Sequence, residues 1–252
     1  MRIIISPAKT MKKEPFPRES LSIPQFMDKT QEILSWLQLQ SREELQKLWK
    51  CNDKITEENI QRLKTMDLQN MLTPTVLAYD GMVFKHINAS MLEDNALRYL
   101  QDHLCILSAF YGVLRPMDGI TSYRLEMQSK AAIVHSANLY DYWKEDIYRA
   151  VKDESGIIVN LASKEYSKCI EKYLRPEDTY VTISFYELVH GKLATKGTYA
   201  KMARGEMVRF LAEENIQTLA DIQRFNRLGY FFMQESSSEK EYVFCREDVS
   251  DK

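Results

Sequence analysis

The chain opens on a run of β-branched residues, Ile3-Ile4-Ile5, cut short at Ser6-Pro7, which predicts a buried first strand. Over residues 12 to 25 three prolines, Pro15, Pro17 and Pro24, forbid a continuous helix, so this stretch reads as an extended surface connection. From there Phe26, Ile33, Leu34 and Leu37 recur at helical spacing. Shorter helices with polar faces are predicted from Ser41 to Trp49 and from Asp53 to Leu63. Strand candidates, rich in β-branched and aromatic residues, follow at residues 75 to 84, 156 to 162, 179 to 188 and 229 to 233. His190-Gly191 lies between two alternating runs and predicts a hairpin. Helical patterns at about 94 to 107, 139 to 152, 163 to 172 and 200 to 215 alternate with the strands. That order predicts an α/β, or mixed α+β, fold in a single domain over residues 1 to 252, with a central sheet flanked by helices.

Composition narrows the function classes. With 34 Lys plus Arg against 36 Asp plus Glu, the chain is not a general polycation, and a nucleic-acid reading must rest on where its cations sit. Cys51, Cys105, Cys169 and Cys245 are far apart with no C-x-x-C pair, which argues against a zinc site and suits a reducing cytosol. His86, His103, His135 and His190 fall in different elements, so no metal site is expected. No apolar run approaches the length of a membrane span, and a soluble, cytoplasmic protein without cofactor is the expectation. Oligomeric state leaves no signature.

Two strand-to-helix turns pair serine with lysine. In "SPAKT", Ser6 at an N-cap and Pro7 at the first helical position would begin a helical turn whose free N–H groups face an anion, with Lys9 adding a charge. An ordinary capped turn with a solvated lysine gives the same pattern. The S-x-x-K spacing also matches an acylating serine, but the companion motifs are missing. In "VNLASKEY", Asn160 ends a strand, Ser163 is a natural N-cap and Lys164 opens a helix, at the strand end where open α/β sheets bind ligands. The two turns would suit one anionic ligand if they converge.

Two further segments carry cations. Within residues 107 to 127, Tyr111-Gly112-Val113 could form a tight hairpin whose N–H groups contact phosphate, reinforced by Arg115 and Arg124. A buried strand followed by an Arg-Pro turn is the equal alternative. Along residues 201 to 210, Lys201, Arg204 and Arg209 share one side of a helix, with Gly205, Val208 and Ala212 between them. A basic face with a small centre lets a phosphate backbone approach closely, and a solvated helix gives the same pattern.

Taken together, "ISPAKT", "LSAFYGVLRPMD", "YRLEM", "LYDYW", "NLASKEY", "KMARGEMVRFLAEEN" and "GYFF" resemble, in order, the bacterial YaaA family of peroxide-stress proteins. The resemblance implies the fold sometimes called cantaloupe, with a basic cleft and a helix-hairpin-helix element. It also implies hydrogen-peroxide resistance, lower free iron and binding to duplex or branched DNA. The helix-hairpin-helix would fall at Tyr111, Gly112 and Val113, near Arg115 and Arg124. Lys9, Asn160, Ser163, Lys201, Arg204 and Arg209 lie in matching blocks and become cleft candidates. Acids follow Arg246, which speaks against a cationic contact at that end.

The leading expectation is therefore a non-enzymatic protein that grips DNA through its phosphates with little sequence preference. The alternative is an enzyme acting on a nucleotide or nucleobase in the same cleft, with Arg124 or Glu126 near the chemistry; a closed pocket lined by polar groups would favour it. Direct iron sequestration is weakest, since no Glu-x-x-His pair or His/carboxylate triad is visible.

Overall fold

The structure, a computed structural model, describes residues 1–12, 22–70 and 72–247. Strand β1 (Arg2–Ile5) is followed by helices α1 (Met27–Gln38), α2 (Arg42–Trp49) and α3 (Asp53–Lys64). Their starts are written in the sequence. Ser41 and Glu44 form a reciprocal capping box, and the Asn52 side chain accepts a bond from the Ile55 N–H. The proline-rich connection lies mostly at residues 13–21, outside the described residues.

Residues 75 to 84 differ from the expected strand. After β2 (Thr73–Pro74) they form two short helices, α4 (Thr75–Ala78) and α5 (Met82–Ile87), with Tyr79 making a lone bridge to Met11. Residues 75 to 79 are wholly buried, and a continuous apolar run does not distinguish strand from buried helix. The helix expected over 94 to 107 likewise divides. Helix α6 (Asp94–His103) stops and β3 (Leu104–Ser108) begins, because five successive buried residues suit an inner strand of a sheet covered on both faces.

After β3, a turn leads to β4 (Gly112–Leu114) and β5 (Gly119–Ile120), then α7 (Leu139–Trp143) and α8 (Asp146–Val151), separated at Lys144 by its positive φ. The rest of the chain runs β6 (Ile157–Asn160), α9 (Lys164–Glu171), β7 (Thr179–Val189), β8 (Lys192–Ala194), α10 (Gly197–Glu213), α11 (Leu219–Ile222), β9 (Phe231–Phe232) and β10 (Glu241–Glu247). His190 and Gly191, both at positive φ, turn β7 into β8 as the hairpin signal predicts.

The main sheet has the order β4-β3-β1-β6-β7-β10-β9, with β8 beside the end of β7. Strands β3, β1, β6, β7 and β10 run parallel, while β4 and β9 are antiparallel edges, so the mixed sheet flanked by helices is present as expected. From β1 the chain builds outward to β3 and β4, then returns to place β6 on the other side of β1. That reversal makes the carboxyl ends of β1 and β6 a topological switch point, where open α/β sheets form crevices.

The hairpin at Tyr111-Gly112-Val113 joins two strands rather than two helices, and it is buried. Ser108 Oγ accepts from the Phe110 and Tyr111 N–H groups, and a Cβ at Gly112 would lie 2.8 Å from the Trp143 ring and 2.9 Å from Phe26. Glycine stands there because its φ is positive and aromatic rings close over it. This segment is the buried strand and Arg-Pro turn, not a helix-hairpin-helix surface.

Candidate functional site

The two serine-bearing turns converge at the switch point. Ser6 Oγ accepts from the Ser163 N–H at 2.8 Å and donates to Ser163 Oγ at 3.0 Å, locking the end of β1 to the start of α9. Ser163 is the N-cap of α9, as its sequence predicts. Residues 6 to 10, by contrast, form no helical turn. They run as irregular chain toward Asp80, whose N–H donates to Thr10 O at 2.8 Å. Gly81 then allows the close approach: a Cβ there would sit 2.7 Å from Ala8 Cβ.

Above this junction opens a cavity of about 470 Å³, within the range of small-ligand sites. Three cations line it, Lys9, Lys201 and Arg204, together with three carboxylates, Asp80, Glu126 and Glu165. Lys9 Nζ pairs with Glu126 Oε2 at 2.7 Å, and Asp80 is tied to Lys85 at 3.3 Å. The remaining wall combines Ser6, Thr10 and Ser163 with apolar and aromatic residues, including Phe84, Leu161 and Tyr166.

Arg204 differs from the other charges. It rises from the middle of α10 between buried Ala203 and Gly205, and its Nε is buried with no hydrogen-bond partner. Among the described residues no carboxylate pairs with it, and burial alone pulls its guanidinium below the ordinary arginine range. Lys201, one turn earlier on the same helix, is exposed and makes no ion pair among the described residues.

Two of the carboxylates, Glu126 and Glu165, are neighbours. Glu165, in the first turn of α9, accepts from the Gln128 N–H at 3.1 Å. Its carboxyl is pushed above the ordinary range chiefly by burial; the Gln128 bond opposes the shift, nearby Glu126 adds to it, and Lys9 and a bond from the Met127 N–H oppose it. No ion pair joins these carboxylates to Arg204 or Lys201 among the described residues. The cavity thus carries both signs, with the unpaired Lys201 and Arg204 on α10 and the Lys9–Glu126 pair near Glu165 on α9.

The other expected residues lie elsewhere. Arg115 is at the opposite end of β3, where its backbone N–H donates to Asp118 and its guanidinium donates to Gln101 O and to Cys105 Sγ, the latter at 3.1 Å. Asn160 is buried in the sheet, bonding the Ala162 N–H and Thr182 Oγ1. Lys164 reaches forward along α9 to Glu171 at 2.5 Å. Arg209 pairs with Glu213 at 2.8 Å, and Arg227 holds the same carboxylate at 2.7 Å. Arg124 does not line the cavity, although its Nε is also buried without a partner.

The small centre of the α10 face has a different use from the one expected. Gly205, Val208 and Ala212 are all buried, and a Cβ on Gly205 would lie 2.3 Å from Val83 O. The glycine admits α5 rather than a phosphate backbone, and α5 in turn carries Met82, Val83 and Phe84 to the cavity wall. Asp80, Glu165 and Tyr166 are site residues that sequence reasoning missed. Glu165 reads as an ordinary acid in the first turn of a helix.

Among the described residues no group of three or more His, Cys, Asp or Glu side chains could hold a metal ion, and no helix is long and apolar enough to cross a membrane. Comparison with known proteins adds the family. Residues 1–236 match the family model described as peroxide stress protein YaaA. A UPF0246 protein of Agathobacter rectalis is 58% identical over 246 residues, covering 98% of this chain and 99% of the relative. UPF0246 proteins of Lachnoclostridium phytofermentans and Ligilactobacillus salivarius are 44% and 42% identical, with 98% of this chain covered in each case and 96% and 100% of the relatives. The match extends from the β1 turn through α10, the elements that build the cavity, and the chain belongs to the YaaA family of peroxide stress proteins, also grouped as UPF0246.

Proposed function

We propose that this peroxide-stress protein works by binding a phosphate-bearing ligand of nucleotide size in the cavity at the carboxyl ends of β1 and β6. The observation that carries the reading is Arg204, a largely buried cation whose Nε has no partner. An unpaired buried charge destabilises a fold, so its presence in a cavity fits a site completed by an anion. Lys201 adds a second positive charge from the same helix, and a guanidinium suits phosphate by its planar fork of donors. The volume matches a mononucleotide better than a duplex, and three carboxylates on the wall would repel a phosphate backbone laid through it.

Duplex or branched DNA is a second reading, favoured by the exposure of Lys9 and Lys201. Those two side chains would meet backbone phosphates while the cavity takes one nucleotide. On this reading the protein limits oxidative damage at the DNA itself, with weak sequence preference and a steep salt dependence.

Calorimetric titration of the full chain with inorganic phosphate, nucleoside monophosphates and a short duplex tests both. A nucleotide binding at one-to-one stoichiometry, weakened about tenfold to a hundredfold by Arg204→Gln, supports the reading, because a charge-assisted hydrogen bond contributes about 1.5–3 kcal/mol. Unchanged binding in Arg204→Gln would overturn it. Duplex binding whose salt slope falls on Lys201→Ala would favour the DNA reading.

A further inference from the structure

Resting on that reading, we infer that the ligand is a nucleotide with an amino-bearing nucleobase, its phosphate held by Arg204 and Lys201 and its base edge read by Glu165 and Glu126. The cavity is incomplete at both parts. Around α10 there is positive charge without an anion, as described above. At α9 there are two neighbouring carboxylates and one cation between them: Lys9 pairs with Glu126, and Glu165 has no ion pair among the described residues.

Two carboxyl groups that feel each other in a half-buried wall keep acceptor positions open, since Glu165 takes only backbone N–H groups, from Gln128 and Met127. A ligand suited to this cavity therefore brings an anion to one part and N–H donors to the other. Among compounds of this size, nucleoside monophosphates with an exocyclic amino group do both. Adenine and cytosine present an amino donor beside a ring acceptor, which suits a carboxyl that is protonated. Guanine presents two adjacent donors, which suits one that is ionised. Uracil and hypoxanthine turn carbonyl oxygens toward the carboxylates where the amino group would be. Phe84 and Tyr166, on the same wall, supply apolar and aromatic surface for a base.

The matched pairs AMP against IMP and CMP against UMP isolate the amino group while keeping the phosphate constant. In titrations of the full chain, the amino-bearing member of each pair should bind about tenfold tighter or more, as expected where a site is built to pair a donor. Glu165→Gln should narrow that gap while leaving inorganic phosphate binding unchanged, and Arg204→Gln should weaken all four nucleotides together. Glu126→Gln provides a second variant should Glu165→Gln fail to fold, and it too should narrow the gap. Equal affinities within both pairs, or a gap untouched by both glutamate variants, would overturn the inference even if Arg204→Gln shows that the anion site is real. Failure of Arg204→Gln to weaken any nucleotide would instead sink the underlying site.

Discussion

Two charges drawn away from solvent, the buried Glu187 and the partly buried Arg204, are treated in opposite ways. Glu187 on β7 is 1% exposed, and it is matched: Arg246 on the neighbouring β10 donates twice to its Oε1, at 2.9 and 2.5 Å, and Lys196 lies 2.9 Å from Oε2, close enough for attraction though off the hydrogen-bonding angle. Arg246 also stacks at 3.9 Å over the Tyr199 ring. Arg204, seven residues into α10, has neither acceptor nor stacked ring among the described residues. A charge neutralised from within fastens the β7–β10 pair to the start of α10; a charge left open is a cost to the fold, and the proposed function gives it a use. The folded protein completes the first cluster alone; on the reading proposed above, a ligand completes the second.

The comparison breaks most visibly at Glu187. Replacing it by alanine leaves Arg246 and Lys196 without their buried counter-charge, which should cost about 3–5 kcal/mol in chemical denaturation. If the loss is under about 1 kcal/mol, the cluster is not the clasp described here. Next in size is Arg204→Gln, which should weaken nucleotide binding tenfold to a hundredfold while leaving the melting temperature unchanged or raised, since it removes an unpaired buried charge. A large drop in stability would mean that Arg204 is structural, like Arg246. Gly205→Ala sharpens the account of how the site is positioned. Its methyl would meet backbone at Val83 O, so the α5–α10 contact must open, at about 1–3 kcal/mol and with loss of ligand affinity.

The smallest effect is at Glu165. Its folded carboxyl titrates above the ordinary range, so folding favours the neutral form more than the unfolded chain does. Stability from this group is fully present below the ordinary carboxylate range and is lost as pH rises through the raised value. Glu165→Gln, which cannot ionise, should therefore match the parent at low pH and melt about 1–3 °C higher at neutral pH without ligand, a shift of the size a sub-kcal change produces in a chain of this length. A variant that melts lower at neutral pH would contradict that sign.

Much of this site was legible in the residues. Ser6, Lys9, Ser163, Lys201 and Arg204 all line or close the one cavity, because strand-end serines and small-residue turns are local signals of a switch point. What the sequence could not convey was pairing. Arg209 and Lys164 look as available as Arg204, yet each is satisfied by a carboxylate on its own helix, Glu213 and Glu171. Arg115 sits beside a hairpin that only Trp143 and Phe26, both distant in sequence, turn into core. At 75 to 84 and 104 to 108, apolar runs have no period that separates strand from buried helix, so tertiary burial decided. The resemblance to YaaA proteins reached the family directly, whereas the helix-hairpin-helix placed at Tyr111 met a sheet hairpin instead.

The most direct measurement is nitrogen-15 NMR of the Arg204 Nε–H during titration of the full chain with AMP, its resonance assigned by comparison with Arg204→Gln. A large shift and slowed hydrogen exchange are expected at this one guanidinium as the site fills, with Arg246 unmoved. An Arg204 resonance that stays fixed while ligand saturates the protein would contradict an anion site at Arg204.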